Sequence, residues 1–186
     1  MIELIDQNFE YNYRVYRSDV IVKHQSEMLK RIYDSHKNLM NHYSKLNKNS
    51  TWLYRTYNIF SLTGGSEHFY DLYKDLIDVI KLYLPNEKNY WFMSWLNFHK
   101  QNEVLNWHNH ICEHHGYISI DPKKTITQFE NYSIKNEVGN IYIGPGYRKH
   151  KVNLLEKYDG QRITLGFDLI TKPNEANDLL SLIPII

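Results

Sequence analysis

The chain has 186 residues, enough to bury a substantial core within one compact domain. With 42% hydrophobic and 23% charged residues, its composition points away from disorder and from a membrane protein. Basic and acidic residues number 22 and 21, so the formal net charge of +1 gives no overall field for nucleic acid or an anionic membrane, and neither is expected as a partner.

From the N-terminus, the first periodic stretch is 26–40. There Met28, Leu29, Ile32, Leu39 and Met40, with Tyr33 and Tyr43, recur near the helical period, and Ser26 is a candidate cap. Residues 45–56 are polar and read as a loop. A second helix is predicted over 66–84, where Phe69, Leu72, Tyr73, Leu76, Ile77, Val79, Ile80 and Leu82 form a broad buried stripe. Gly64 and Gly65 precede it and Pro85 ends it.

Beyond Pro85 the rhythm shortens. Segments 90–98, 104–108, 116–120, 125–129, 139–143 and 162–170 read as strands, divided by turn-like clusters such as Asp121-Pro122-Lys123-Lys124, Gly144-Pro145-Gly146 and Tyr158-Asp159-Gly160. So many short, closely spaced strands indicate a sandwich or barrel, and helices followed by strands make an α+β domain with the helices buttressing a sheet. The tail carries Leu179, Leu180, Leu182 and Ile183 and is expected to pack onto the body. The expected organisation is one domain: helical support over 1–88, a strand core over 89–172 and a C-terminal tail over 173–186.

Cys112 is the sole cysteine, which excludes an intramolecular disulfide scaffold and suits a reducing compartment. Residues 1–6 lack the basic start and apolar core of a signal peptide, and no apolar run is long enough to span a bilayer, so a cytoplasmic location is expected.

The chemistry concentrates between Asn106 and Leu169. His108 and His110 form a His-x-His pair, and His150 follows a Gly-Pro-Gly turn forty residues on. Ten histidines in this length generate roughly half of one such pair by chance, so the pair alone proves little. On a strand, however, side chains two apart share a face, and both imidazoles could then reach one iron, zinc, copper or nickel ion. The plain alternative makes His108, His110, His114 and His115 a polar surface loop. Arg162 opens the last strand, with Thr164 on the same face and Leu165 and Phe167 on the other. A guanidinium facing a barrel interior needs an anion, and a bound diacid would supply one, with Thr164 adding a hydroxyl. The plain alternative pairs Arg162 with Asp159 or Glu156 at the surface.

Together these residues resemble the 2-oxoglutarate- and Fe(II)-dependent oxygenases, particularly the small, often phage-encoded members. The likeness covers about 95–169: Trp95-Leu96-Asn97, His108-x-His110, the approach Gly139-Asn140-Ile141-Tyr142-Ile143-Gly144-Pro145 to His150, and Arg162-x-Thr164. The resemblance implies a double-stranded β-helix, a cupin-like jelly-roll barrel, buttressed by the N-terminal helices. It implies that His108 and His150 are iron-binding histidines, that His110 occupies the slot usually held by Asp or Glu, and that Arg162 and Thr164 hold the distal carboxylate of 2-oxoglutarate. Asn97 and Tyr117 are further candidates for that cosubstrate pocket. The implied reaction uses Fe(II), 2-oxoglutarate and dioxygen to hydroxylate a C–H bond of a peptidyl or small-molecule substrate, releasing succinate and carbon dioxide. Trp91, Trp95, Trp107, Tyr142 and Tyr147 are candidates to line the substrate groove.

This chain departs from the usual two-histidine, one-carboxylate triad at His110. Glu113 is an alternative carboxylate, although its odd spacing places it on the other face of a continued strand. Two other readings stand beside the oxygenase: a cupin-like three-histidine metalloenzyme that does not use 2-oxoglutarate, and a non-catalytic barrel that binds.

Overall fold

A computed structural model of the chain describes residues 1–42, 51–52, 57–85, 89–103, 105–173 and 182–185. Its elements in chain order are β1 (Ile2–Asn8), β2 (Tyr13–Ser18), α1 (Asp19–His42), β3 (Thr51–Trp52), α2 (Ile59–Thr63), α3 (Glu67–Tyr83), β4 (Tyr90–His99), β5 (His114–Asp121), β6 (Thr125–Phe129), β7 (Ser133–Lys135), β8 (Asn140–Pro145), β9 (His150–Leu154), β10 (Arg162–Ile170) and β11 (Leu182–Ile185). An 8-stranded sheet has the order β1-β2-β8-β5-β10-β4-β11, with β3 also paired to β4, and a 3-stranded sheet has the order β7-β6-β9. All pairings are antiparallel. From β5 to β10 the chain crosses repeatedly between the sheets: β5 in the large one, β6 and β7 in the small, β8 in the large, β9 in the small, β10 in the large.

The α+β architecture with N-terminal helices agrees with the sequence reading. No ladder joins the two sheets into a closed barrel among the described residues; a single backbone bridge between His108 and His150 links the loop before β5 to β9. Predicted strand 104–108 is therefore corrected. Val104 lies outside the described residues, and from Leu105 onward the segment is irregular except at that bridge.

The first helix also starts earlier than the expected 26. Asp19 opens α1, Ile21 is fully buried in its first turn, and the helix kinks at His24 (φ −122°, ψ 27°). Ser26 is thus inside the helix rather than capping it, and its hydroxyl donates to Glu27 (2.8 Å). The second helix matches closely, with Ser66 as its N-cap residue. Of the expected loop 45–56, only Thr51–Trp52 is described, as a short strand; Tyr43, Leu179 and Leu180, and the side chains of Leu39 and Met40, lie outside the described residues. The end of the tail does pack on the body, as β11 against β4, and its Pro184 sits on a sheet edge, where a missing N–H is tolerated.

The large sheet is covered on both faces, which explains why β10 is buried at every position and β4 at nearly every one. On one face Ile163, Leu165, Phe167 and Leu169 join Leu96, Phe92 and Ile118 in a core completed by Met28, Ile32, Ile59, Phe69, Leu72 and Leu76 from the helices. The other face looks toward the small sheet. Close packing in the core leaves no room for a side chain at Gly116: a Cβ there would strike the Phe167 ring and the Tyr142 carbonyl. Gly116→Ala is therefore expected to lower the unfolding free energy by about 1–3 kcal/mol through overpacking. Chemical denaturation would measure it, and an unchanged midpoint would refute this packing account.

Candidate metal and anion site

Three neighbouring strands supply one wall of a cavity of about 250 Å³. Their registers place Arg162, Thr164 and Gly166 of β10 beside His99, Asn97 and Trp95 of β4, and place Thr164, Gly166 and Asp168 beside Ser119, Tyr117 and His115 of β5. Successive members of each row are two residues apart, so the strand period itself turns them to a common face. Thr127, His150 and Val152 from the small sheet and Leu105, His108, Asn109 and His110 from the loop line the rest of the cavity.

His108, His110 and His150 converge: each can offer a nitrogen lying within 4.8 Å of the others'. The loop that carries His108 and His110 is held without regular strand structure, because His108 N–H donates to His150 O (2.9 Å), His150 N–H donates back (2.8 Å), and His110 N–H donates to Gly146 O (2.9 Å).

The imidazoles have the protonation pattern that metal binding requires. His108 Nδ1 lies 2.7 Å from the Asn106 carbonyl, and His150 Nδ1 lies 3.1 Å from the Arg148 carbonyl. A carbonyl only accepts, so each Nδ1 carries the proton and each Nε2 presents a lone pair. His110 Nδ1 faces Asp168 at 3.1 Å, and its Nε2 is buried with no hydrogen-bond partner. An orphaned buried lone pair beside two imidazoles that also present Nε2 fits an ion, so these three residues could hold one.

A second group, His110, His115 and Asp168, also brings ligand-type atoms within 4.8 Å. Its contacts are of hydrogen-bond length: Asp168 Oδ1 accepts from His115 Nδ1 at 2.8 Å, and its Oδ2 accepts from His110 Nδ1 at 3.3 Å. Burial would raise the Asp168 carboxyl, but the two histidine hydrogen bonds outweigh it and hold it well below the usual carboxylate range. Asp168 is therefore an anion that orients two imidazoles.

The cavity's other end is cationic. Arg162 is 3% exposed, and no carboxylate lies within ion-pair distance of it among the described residues, which corrects a surface pairing with Asp159 or Glu156. Its Nη1 approaches His99 Nδ1 at 3.4 Å, and its Nε has no partner. Burial lowers its pKa to about 10, which leaves it charged at neutral pH. Burial, reinforced by Arg162, pushes His99 down to about 4, so the imidazole beside the guanidinium is neutral and can accept from it. Thr164 Oγ1 accepts from Asn97 Nδ2 (3.3 Å), leaving its own hydrogen free to donate into the cavity.

No family model matches the chain, and no curated protein does. Among solved structures it is similar to a cupin-2 domain containing protein from Shewanella frigidimarina, at 18% identity over 41% of this chain and 69% of that one, with a TM-score of 0.33. The meaning of the site comes from its own geometry. No helix among the described residues is long and apolar enough to cross a membrane.

His108, His110, His150, Arg162, Thr164, Asn97 and Tyr117 thus all line one cavity. Glu113 does not join them: it is exposed and accepts hydrogen bonds from the backbone N–H and hydroxyl of Thr171. Of the aromatic candidates only Trp95 lines the cavity, stacked on His110 at 5.6 Å; Tyr142 is in the core, Trp91 packs beside Met93 and Ile170, and Trp107 and Tyr147 are exposed. Gly166 makes room for the Trp95 indole, whose ring atoms lie where a Cβ would be. No site role was expected for His115 or Asp168, although His115 stands two residues from Tyr117 and Asp168 four residues from Thr164, on the same faces of their strands.

Protonation of this cluster has a cost that acid should reveal. Burial, with help from neighbouring imidazoles, depresses His115 from 6.5 to about 4 and His150 to about 2, and His99 behaves like His115. Unfolded, all three titrate near 6.5, so below that pH the unfolded chain binds more protons and stability falls as the pH drops toward 4. These three imidazoles together should take up about three protons on unfolding near pH 5, and His108, also lowered by burial, adds to the uptake. Thermal unfolding between pH 7 and 4.5 would measure this, and a flat profile would contradict it.

Proposed function

We propose that this protein is an iron(II)- and 2-oxoglutarate-dependent dioxygenase on a double-stranded β-helix scaffold, hydroxylating a C–H bond of a peptidyl or small-molecule substrate. The observation that carries this reading is a buried guanidinium without a carboxylate partner, facing the cavity that three imidazoles share. Leaving such a charge unpaired costs several kcal/mol, on the order of 3–5, and a carboxylate ligand removes that cost. A diacid would satisfy both ends of the cavity at once.

Bound iron and dioxygen would supply the oxidising chemistry, coupled to decarboxylation of 2-oxoglutarate to succinate. The chain's own residues bind and orient. His108, His110 and His150 offer Nε2 to the metal, Arg162 forks onto the far carboxylate, and the Thr164 hydroxyl, aligned by Asn97, donates to the same group. Tyr117 stands beside Gly166 on the wall between these two sets, and Leu105 and Val152 keep water from the opposite side.

A second reading is a three-histidine metalloenzyme without 2-oxoglutarate. It is favoured by the lack of a carboxylate among the three converging side chains. Anaerobic titration with Fe(II) and 2-oxoglutarate separates the two. We expect a visible charge-transfer band, lost in His150→Ala, with 2-oxoglutarate affinity falling on the order of a hundredfold in Arg162→Met as a buried charge partner is removed. Succinate should form stoichiometrically with turnover. Absence of the band, or its indifference to both substitutions, would overturn the proposal, and undiminished turnover without 2-oxoglutarate would establish the second reading.

A further inference from the structure

Three neutral imidazoles bring no charge to a divalent cation, and Arg162 already places one positive charge in the same cavity. An ion bound there adds to an excess of positive charge in a poorly solvated space. The compensating anion is one bond further out. Asp168, 2% exposed, has Oδ1 3.1 Å from His110 Nδ1 and 2.8 Å from His115 Nδ1.

We propose that Asp168 is the charge partner and positioning residue of the metal centre, acting through His110, and that His115 is a second donor to the same carboxylate rather than a fourth ligand. This rests on the metal site of the proposed function but on neither 2-oxoglutarate nor any substrate.

The geometry separates the roles. Asp168 meets the Nδ1 edge of His110, whereas the orphaned Nε2 lies on the other side of that ring, so the carboxylate and the ion address opposite edges of one imidazole. A carboxylate held this way fixes ring and tautomer and raises the basicity of the ligating nitrogen. The negative charge missing from the converging set is thereby retained behind it. His115 stacks face to face on His110, with ring centroids 3.6 Å apart and planes at 10°. Both rings turn Nδ1 to the same carboxylate, His115 to Oδ1 and His110 to Oδ2, so in the stacked pair the Nε2 edges run side by side, and such pairs do not converge on one ion. By sharing Asp168, His115 dilutes the negative charge that reaches His110.

The two substitutions therefore act with opposite sign. Titrating Co(II), and Fe(II) under anaerobic conditions, into the full chain should show Asp168→Asn weakening metal affinity by about 10–100-fold, with Asp168→Glu recovering part of it. His115→Phe, which keeps an aromatic ring on His110 and removes the competing donor, should bind cobalt at least as tightly as the unaltered chain. Asp168→Asn should also raise the Fe(III)/Fe(II) midpoint potential, because removing a nearby negative charge disfavours the ferric state; a merely structural carboxylate would not move it in its near-isosteric amide. Thermal unfolding of the metal-free variants checks that each folds, and Asp168→Glu and His115→Phe carry the test should the amide fail to. Unchanged affinity and potential in Asp168→Asn would overturn the proposal. So would weakened metal binding in His115→Phe, which would make His115 a ligand. Failure of the unaltered chain to bind either metal would instead sink the metal site itself.

Discussion

The two-residue period of β10, held between β4 and β5, governs the molecule. Ile163, Leu165, Phe167 and Leu169 enter the core beneath the helices, Arg162, Thr164 and Gly166 face the cavity, and Asp168 follows on that same side of the strand, behind His110 and His115. A slip of one residue would send a guanidinium and a carboxylate into hydrocarbon and expose four large apolar side chains, so the register is specified by both faces at once. One strand therefore fixes the core and also sets out the site, cation at one end and anion at the other.

That polarity gives the cavity its chemical direction. At the Arg162 end the protein supplies donors and an uncompensated positive charge, suited to an oxyanion. At the Asp168 end it supplies acceptors and a negative charge behind imidazoles, suited to a metal cation. Gly166 stands between them without a side chain, and the indole of Trp95 occupies the space it leaves. A ligand carrying a carboxylate and also able to chelate would span the two ends. A neutral apolar ligand would leave both unsatisfied.

Much of this was legible in the sequence because it is written in period two. The alternation after Arg162 placed Thr164 correctly, and the His-x-His pair with the distant His150 named three residues that do converge. The same alternation, carried two steps beyond Thr164 along β10 and one step back from Tyr117 along β5, reaches Asp168 and His115. An aspartate inside an apolar run looks unremarkable, and His115 reads as one more histidine of a polar loop, until the register sets the two opposite each other. His108 and His110 reach a common point for a reason that no periodicity encodes: an irregular loop is pinned to β9 and to Gly146 by backbone hydrogen bonds. Strands β3 and β7, of two and three residues, were missed for their brevity, and β1, β2, β9 and β11 for related reasons. Strand β1 is mostly exposed, β9 alternates over only five residues, and β11 is a four-residue edge strand interrupted by Pro184. The helix start at Asp19 was hidden because the kink at His24 breaks the apolar rhythm there.

The reciprocal backbone bonds between His108 and His150 tie together the backbones of two of the three imidazole-bearing residues through their amide groups. Small metal-stapled domains behave otherwise, since their ligands gather only when the metal arrives and a chelator unfolds them. Here the ligand-bearing loop is also laced to β9 and to Gly146 by the chain's own amide groups, a tether that a chelator does not touch.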